Sequence, residues 1–446
     1  MPFIRLFTVA LTTAAAMVAP ASASAHSRPN AVTAWNAHAG KAALAACISP
    51  ADNPLSESRM YAMTHVAIHD ALNAIKRRSD PYVYDARSRH GASPDAAVAA
   101  AARDVLVPVL GQLQAPFSQA CIDAGVASVE SDYAAALDAI PNGRRKERGL
   151  AVGHAAAAAV LRLRAGDGSD TTLLDFTFPQ GTAPGEWIFT PDRPFAFAPG
   201  WAHVRPFVLD DATQFRPGPP YALNTSQYAA DLNEVKALGG DGVTTPSART
   251  AEQTEIALFW LESSPLQWNR IARTLSDRRG LDPWQSARLF GLLNMAQADG
   301  YIGSFDTKYH YRYWRPVSAI RAADSDGNPD TSPDPTWTPL ATTPPIPVYD
   351  SAHAVEGGAA AAVFRRFFGT DRIAFRTCSL TLPPGGTCDD PAPVSRSYAS
   401  FTEAAEENGL SRILVGFHFR KAVSAGIDHG RRIGRLAADR YLLPAR

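Results

Sequence analysis

The sequence has no excess of charge of either sign. Its 446 residues include 43 lysines and arginines and 43 aspartates and glutamates, so the formal net charge is zero. A surface that is basic as a whole is therefore excluded, and no nucleic acid partner is expected. Hydrophobic residues make up 46% of the chain and charged residues 19%, which is typical of a folded globular protein rather than a disordered one.

Long apolar runs are also missing beyond the first 25 residues, so the sequence predicts no membrane span. The start of the chain differs, with Arg5, an apolar stretch over 11–20 and small residues over 23–25. This pattern is typical of a secretory signal peptide over 1–25, with a buried N-terminal helix as the alternative. We therefore expect a secreted or periplasmic mature protein over 26–446.

Cysteine is scarce, with only Cys47, Cys121, Cys378 and Cys388. An even number in an exported chain predicts two disulfides, and four reduced thiols are the alternative. Cys378 and Cys388 flank a stretch rich in proline and glycine and could close a small loop, which leaves Cys47 for Cys121. No pair has the C-x-x-C spacing of a structural zinc site.

Strand-like alternation is rare, and the fold class that the pattern favours is an all-α bundle with long, proline-rich irregular loops. Apolar residues recur at three- and four-residue spacing over 31–47 and 56–75, as in amphipathic helices. A helix is predicted to start at 93–95, with Pro108 kinking or ending it. Further helices are predicted over 115–140, 142–165, 247–261, 283–307, 351–368 and 395–441, the last broken near Gly409 and Gly426. Irregular chain is predicted over 166–246 and 324–350. We treat 26–446 as one helical domain, with N-terminal helices and a long loop over 26–246 and a C-terminal part over 247–446.

Three segments of the C-terminal part concentrate unusual polar residues. In the first, Lys308 and Arg315 are seven residues apart, and Pro316 disfavours helix at Arg315. We therefore expect a helix end followed by extended chain. Taken alone, the composition of the segment favours a solvated basic face with aromatic packing.

The second segment turns a proline-rich loop into an apolar helix at Ser351, which fits the N-cap position. The N–H groups of Ala352 and His353 would then lack intrahelical partners and form an anion site. The alternative is an ordinary helix cap beside a partly buried histidine.

The third segment contains Ser411, Arg412 and His418. If it is helical, Ser411 and His418 share a face, and Arg412 lies about 120° round from His418. A core histidine beneath an amphipathic helix is the alternative interpretation.

Together the segments provide two guanidinium groups, one ammonium, a helix start and two imidazoles. Such a set suits a tetrahedral oxyanion, because guanidinium forks and backbone N–H groups match its oxygen atoms. One imidazole could then bond the central atom while the other transfers a proton.

The three segments resemble the signature of the superfamily of type-2 phosphatidic acid phosphatases and vanadium-dependent haloperoxidases. That signature is K-x6-R-P, then P-S-G-H, then S-R-x5-H-x3-D. The residues that match it are Lys308, Arg315 and Pro316; Ser351, Ala352 and His353; and Ser411, Arg412 and His418. Segments 59–75, 257–260 and 267–269 are similar to helices of the soluble haloperoxidase branch, so the resemblance covers most of the chain from about residue 31.

The resemblance implies a helical bundle around a vanadate or phosphate pocket. In a haloperoxidase, His418 would bond vanadium, His353 would act as acid and base, and hydrogen peroxide and halide would be the substrates. The vanadate oxygens would be held by Lys308, Arg315, Ser351, the Ala352 amide and Arg412. In a soluble acid phosphatase, which needs no vanadate, His418 would be the nucleophile toward a phosphate ester. A non-catalytic oxyanion-binding relative is the third possibility, and a homo-oligomer is plausible in each case.

Four residues depart from the family pattern. Asp350 adds an anion beside an anion site and should weaken binding unless a lysine or arginine neutralises it. Ala352 replaces glycine, and Ala422 replaces the aspartate that orients a histidine nucleophile, which should harm phosphoryl transfer most. Phe305 stands where chloroperoxidases tend to have tryptophan, which leaves the halide preference open.

Other polar residues are weaker candidates. His65 and His69 have metal-ligand spacing next to Asp70, but their apolar segment favours satisfied core histidines. Asp299 either pairs with Lys308 or is exposed. The adjacent Asp428 and His429 look like an acid–base pair in sequence only.

Overall fold

The computed structural model describes residues 30–50, 52–87, 91–114, 116–383 and 385–445. The predicted signal peptide lies outside the described residues. The prediction of an all-α fold is confirmed, because helices dominate the chain and strands are few and short. Within the described ranges, no helix is both long enough and apolar enough to cross a membrane.

The elements follow one another in chain order. The helices are α1 (Ala31–Ala45), α2 (Pro54–Ile75), α3 (Pro94–Gly111), α4 (Gln119–Asp138), α5 (Arg144–Leu163), α6 (Ser226–Leu238), α7 (Ala251–Phe259), α8 (Ser264–Arg278), α9 (Pro283–Tyr311), α10 (Pro316–Arg321), α11 (Ala352–Phe368), α12 (Phe401–Leu414) and α13 (Arg420–Arg440). The strands β1 (Leu174–Asp175) and β2 (Ala196–Phe197) pair antiparallel, as do β3 (Phe375–Cys378) and β4 (Ser395–Tyr398).

Two groups of helices meet along α9. Helices α2, α3 and α5 pack against one another, with α1 and α4 beside them. Helices α11, α12 and α13 form the second group, and α9 packs against α2 of the first group and against α11 and α13 of the second. This 29-residue helix therefore connects the two groups and ends in the segment of Lys308.

The helix starts follow from local side-chain chemistry. The Ser93 side chain accepts a hydrogen bond from the Ala96 amide, and Pro94 occupies the first turn of α3. The long helix α9 begins with a capping box between Asp282 and Gln285. Such caps satisfy backbone N–H groups that the helix itself leaves without partners.

Close contact between α11 and α13 positions the start of α11. Gly426, Gly430 and Gly434 recur every four residues on α13 and face the backbone of α11. A Cβ atom on Gly430 would lie 1.8 Å from the Val355 carbonyl oxygen, so no side chain fits there. The first turn of α11, which follows Ser351, is thereby held directly against α13.

The predicted break of the last long helix is wrong in place. The chain turns at Gly416, where φ is +86°, between α12 and α13, and not at Gly409 or Gly426. A positive φ favours glycine, whereas Gly409 and Gly426 lie inside helices at tight contacts with their neighbours. Helices α6 and α10 were not predicted, and only 267–269 of α8 was expected to be helical. Residues 395–398, predicted as helix, form β4 instead, because they pair with β3.

Both predicted disulfides are present. Cys47–Cys121 joins the end of α1 to the first turn of α4, with a Cα–Cα distance of 5.7 Å. Cys378–Cys388 closes the loop between β3 and β4, with a Cα–Cα distance of 5.6 Å. The sequence prediction of the pairing is therefore confirmed.

Glu57, in the first turn of α2, makes the stability of the fold depend on pH. Its side chain is fully buried, accepts a hydrogen bond from the Ser263 hydroxyl and leaves Oε1 without a partner. Burial raises the pKa of Glu57 from 4.5 to about 7. Between these values the folded protein binds a proton that the unfolded chain releases, so this group's contribution to stability is lost as pH rises through the window.

We expect Glu57→Gln to remove this dependence, since the amide needs no proton and can still accept from Ser263. At pH 8 the free energy of unfolding should exceed that of the parent protein by up to about 3 kcal/mol, and at pH 4 the two should be similar. Denaturant unfolding at both pH values, with the exposed Glu252→Gln as control, measures the difference. An equal difference at both values would contradict the assignment.

Candidate oxyanion site

The three predicted segments meet in one cavity of about 880 Å³. Its wall includes Lys308, Arg315, Ala352, His353, Arg412 and His418. Ser351, the remaining predicted site residue, directly precedes Ala352 and is fully buried. Half-buried phenylalanines, Phe117, Phe195 and Phe197 among them, line the outer part of the cavity.

Lys308 lies in the last turn of α9 and is completely buried. Its ammonium donates to the carbonyl oxygens of Pro347 (3.0 Å), Val348 (3.2 Å) and Asp350. Burial, followed by the positive charge of Arg315, lowers the pKa of Lys308 well below its usual value. The ammonium thus holds the loop before α11 and brings its charge to the cavity.

Arg315 occupies the extended position before α10, as the sequence predicted. Its Nε donates to the Ile346 carbonyl at 2.6 Å and its Nη1 to the Phe417 carbonyl at 3.0 Å. Its Nη2 is buried without a hydrogen-bond partner. One edge of the fork therefore fixes the side chain while the other is available to an acceptor in the cavity.

Arg412, near the end of α12, belongs to the third segment and lines the same cavity. Its Nη1 donates to the Trp260 carbonyl at 3.1 Å, and its guanidinium carbon lies 5.0 Å from the centroid of the Phe417 ring. Its Nε is buried without a partner. The side chain is thus positioned by backbone and ring contacts and keeps a donor free.

His418 lies in the loop between α12 and α13, and its amide donates to the Arg412 carbonyl at 3.1 Å. The predicted placement of residues 411 and 418 on one helical face is therefore wrong, because α12 ends at Leu414 and the chain folds back. The ring Nε2 lies 3.1 Å from Arg315 Nη1, which donates to it, so Nδ1 carries the proton and is buried without a partner. Burial and then Arg315 lower the pKa of His418 well below its usual value, so the imidazole is neutral and its single lone pair, at Nε2, is the one that accepts from Arg315.

His353 faces the same cavity from the first turn of α11. Its Nε2 lies 3.3 Å from the Glu262 carbonyl, which can only accept, so the proton is on Nε2. Burial, followed by the charge of Arg412, lowers the pKa of His353 well below its usual value. A neutral imidazole at this position can accept a proton at Nδ1.

Ser351 occupies the N-cap position of α11, but its side chain makes no capping hydrogen bond. Its amide donates to the Ala422 carbonyl at 3.0 Å, whereas its hydroxyl is buried without a partner. The Ala422 carbonyl thus fixes the loop before α11, in a contact that does not involve the side chain of residue 422. The Ser351 hydroxyl and the N–H groups of the first turn remain available to an anion.

Asp350 is compensated in a way that the sequence did not suggest. Its Oδ1 accepts from the Ser304 hydroxyl at 2.7 Å, and its Oδ2 accepts from His429 Nδ1 at 2.8 Å. Among the described residues no lysine or arginine forms an ion pair with this carboxylate, which is held by Ser304 and His429 instead. Asp428 pairs instead with Arg431 at 2.6 Å.

The histidines of α2 are core residues, as the apolar segment indicated. His65 Nε2 contacts the Asn36 amide at 2.7 Å, and His69 Nδ1 contacts Asp70 at 2.9 Å. Among the residues that the structure describes, no group of three or more His, Cys, Asp or Glu side chains could hold a metal ion.

Asp299 neither pairs with Lys308 nor is exposed, so both predictions for it are wrong. Its buried carboxylate accepts from the backbone N–H groups of residues 207–209 at 2.6–2.8 Å. It therefore anchors the long irregular segment to α9.

Behind the site, sequence reasoning missed Ser304 and gave His429 the wrong partner, Asp428 in place of Asp350. Their partner Asp350 lies 79 residues before His429, and no local spacing relates the two. The only signal was the unexplained Asp350 itself, since a buried carboxylate requires donors.

The donor set fits a tetrahedral oxyanion. Arg315, Arg412 and Ser351 each keep a buried polar atom without a partner, as does His418. In the described part of the chain, neither arginine nor Lys308 forms an ion pair with a carboxylate. Buried cations and unpartnered donors around one cavity are costly unless an anion satisfies them. The fold and the site thus define a predominantly helical protein with a cavity whose donors suit a tetrahedral oxyanion.

Comparison with known proteins agrees with this class. Residues 288–444 match the family model described as the VCPO second helical-bundle domain. Vanadium chloroperoxidase from Curvularia inaequalis is 27% identical over 297 residues, which are 53% of this chain and 48% of that protein. The chain thus matches about half the length of this curated relative.

Solved structures share the fold. A bacterial vanadium-dependent iodoperoxidase superimposes with a TM-score of 0.74 at 24% identity, covering 94% of this chain and 98% of its own. The apo form of a bacterial vanadium-dependent chloroperoxidase gives a TM-score of 0.68 at 15% identity, covering 88% and 95%. The resemblance to the vanadium haloperoxidase superfamily that the three motifs indicated is therefore supported by a family model over 288–444, by a curated relative and by shared fold.

Proposed function

We propose that the protein is a vanadium-dependent haloperoxidase, which oxidises a halide with hydrogen peroxide. The balanced reaction consumes one halide, one hydrogen peroxide and one proton, and it gives one hypohalous acid and one water. The observation that carries the proposal is the set of buried, unpartnered polar atoms of Arg315, Ser351, Arg412 and His418 around one cavity. The relatives that match the chain by sequence and fold are themselves vanadium haloperoxidases by name.

Each residue of the pocket has a distinct role. Arg315, Arg412, Ser351 and the first amides of α11 would hold the vanadate oxygens, and His418 would bind vanadium through its neutral ring. When bound, vanadate supplies a Lewis acid that activates hydrogen peroxide. Lys308 adds positive charge where negative charge develops.

His353 moves the protons of the reaction. It is neutral, it holds its proton at Nε2 through the Glu262 carbonyl, and its Nδ1 can take a proton from incoming hydrogen peroxide. The imidazolium formed can return that proton as the halide is oxidised. The phenylalanines of the outer cavity exclude water, which strengthens these interactions.

The residues favour this reaction over phosphate-ester hydrolysis through a phosphohistidine. A histidine nucleophile benefits from an acceptor at its other ring nitrogen, which raises the basicity of the ring. In this chain Ala422 replaces the family aspartate, and His418 Nδ1 has no partner. Ligation of vanadium needs no such acceptor. It needs the Nε2 lone pair of the neutral ring, which would exchange its hydrogen bond from Arg315 for the metal.

The test is oxidation of chloride, bromide and iodide with hydrogen peroxide, measured by halogenation of a phenolic dye. The protein is first stripped of anions and then supplied with vanadate or with phosphate. We expect turnover with at least one halide only after vanadate addition. Phosphate-ester hydrolysis without halide oxidation would support the phosphatase instead, and tight anion binding without turnover would indicate a binding protein.

A further inference from the structure

A buried polar layer lies directly behind the oxyanion site. It consists of Ser304 on α9, Asp350 in the loop before α11 and His429 on α13, which are all nine-tenths or more buried. The Asp350 carboxylate accepts from Ser304 at 2.7 Å and from His429 at 2.8 Å. Neither donor lines the cavity, so the carboxylate is held away from it.

Asp350 connects this layer to the site through its backbone. Its carbonyl oxygen accepts from the Lys308 ammonium, and the next residue is Ser351. The loop that presents Ser351, Ala352 and His353 is therefore fixed at one end by a carboxylate that depends on His429. The ring of His429 fits because Gly303 leaves space for it, since a Cβ atom there would lie 3.0 Å from Nε2.

We propose that His429 is a positioning residue of the oxyanion site, which keeps the Asp350 carboxylate turned away from the bound anion. The inference rests on the oxyanion site of the proposed function and not on halide oxidation itself. Two donors now satisfy the carboxylate. Without the Nδ1–H of His429, the carboxylate keeps only the Ser304 hydroxyl. The Lys308 ammonium, which contacts the backbone carbonyl of the same residue, is a charge of opposite sign close to it. Reorientation toward Lys308 would place a negative charge beside the anion and displace the loop.

The test compares His429→Ala with His429→Asn in the full chain. The asparagine amide can place a donor near the position of Nδ1, whereas alanine has none. Calorimetric titration with vanadate and, separately, with phosphate should show affinity about 10- to 100-fold weaker for the alanine variant, the range found when the partner of a ligand residue is removed. The asparagine variant should remain within about threefold of the parent protein.

A double substitution separates electrostatics from structural damage. If the freed carboxylate is the cause, Asp350→Asn in the His429→Ala background should restore most of the anion affinity. A purely structural role for His429 predicts no recovery. Restoration would support the proposal, and continued weak binding in the double variant would overturn it.

The chain also contains a matched control. His69 and Asp70 form a similarly buried pair at 2.9 Å, on a helix face that does not line the cavity. His69→Ala should reduce the free energy of unfolding but leave both anion affinities unchanged. Equal losses of affinity in His69→Ala and His429→Ala would overturn the proposal. Weakened phosphate binding in His429→Ala, in a protein that never oxidises halide, would leave this inference standing while the proposed function fails.

Discussion

Replacement of His418 by alanine is expected to abolish vanadate-dependent halide oxidation. We expect turnover to fall by more than about a thousandfold, because removal of a group that stabilises the transition state commonly causes losses of this size. The physical reason is that His418 presents a buried, neutral ring to the cavity, and its Nε2 lone pair would bind vanadium in place of the hydrogen bond from Arg315 Nη1. Halide oxidation at saturating vanadate measures the loss.

The anion affinities provide a second readout that does not depend on turnover. Vanadate can accept a nitrogen ligand, whereas phosphate in its ground state is held by charge and hydrogen bonds alone. In His418→Ala the affinity for vanadate should therefore fall much more than the affinity for phosphate, since both arginines remain. A parallel loss of both affinities would indicate a collapsed pocket, and unchanged vanadate binding would refute direct ligation by His418.

His418→Gln separates ligation from folding. Glutamine fills much of the space of the imidazole and can accept from Arg315, so the fold should be kept while the ligand is lost. Thermal unfolding should place this variant near the parent protein. Halide oxidation by His418→Gln at parental rates would exclude the proposed role of the ring.

The residue composition of the site could be predicted from sequence because each motif is local. Lys308 and Arg315 lie on a helix end and the extended chain after it, and Pro316 indicates that change of structure. Ser351 marks the start of α11 for a similar reason. The convergence of the motifs was a hypothesis based on the chemistry of an oxyanion, and the structure brings the side chains to one cavity.

The supporting contacts could not be predicted, because backbone carbonyls provide many of them. Trp260, Ile346 and Phe417 contact the site arginines through carbonyl oxygens, which every residue has. The helical-face arithmetic for His418 failed for a related reason: Gly416 ends the periodicity on which it relied. Tertiary partners such as the pair of Asp350 and His429 leave no mark in local spacing.

The pocket also places a cost on folding. Three cations are buried around one cavity, and no described carboxylate forms an ion pair with any of them. Burial lowers the pKa of Lys308 and also of Arg315 and Arg412, which shows that the charged forms are disfavoured there. Bound anion would offset this cost, so vanadate or phosphate should raise the melting temperature, with a stabilisation of about 2.7 kcal/mol at a hundred times Kd.

Replacement of Arg412 by methionine should separate stability from function. Methionine removes an unpaired buried charge and keeps much of the volume against Phe417, at the cost of leaving the Trp260 carbonyl without its donor. We expect the anion-free variant to be more stable than the parent protein by about 1 kcal/mol or more, since an apolar residue in place of a buried charge is often stabilising. Differential scanning calorimetry should also show that anions no longer raise its melting temperature.

Arg164→Met is the matched control for this result. Arg164 is equally buried but lies 2.8 Å from the Asp167 carboxylate, so its removal leaves a buried acceptor with one partner fewer. We expect this substitution to lower the free energy of unfolding, by about 2 kcal/mol or more, whereas Arg412→Met raises it. Bound anions should still stabilise the Arg164→Met variant. If Arg412→Met and Arg164→Met destabilised the anion-free protein equally, the buried charge of Arg412 would not lower the stability of the folded protein, which would contradict the prediction. Opposite signs would show that the protein retains this arginine for the anion, and that the stability it loses is recovered only when the pocket is filled.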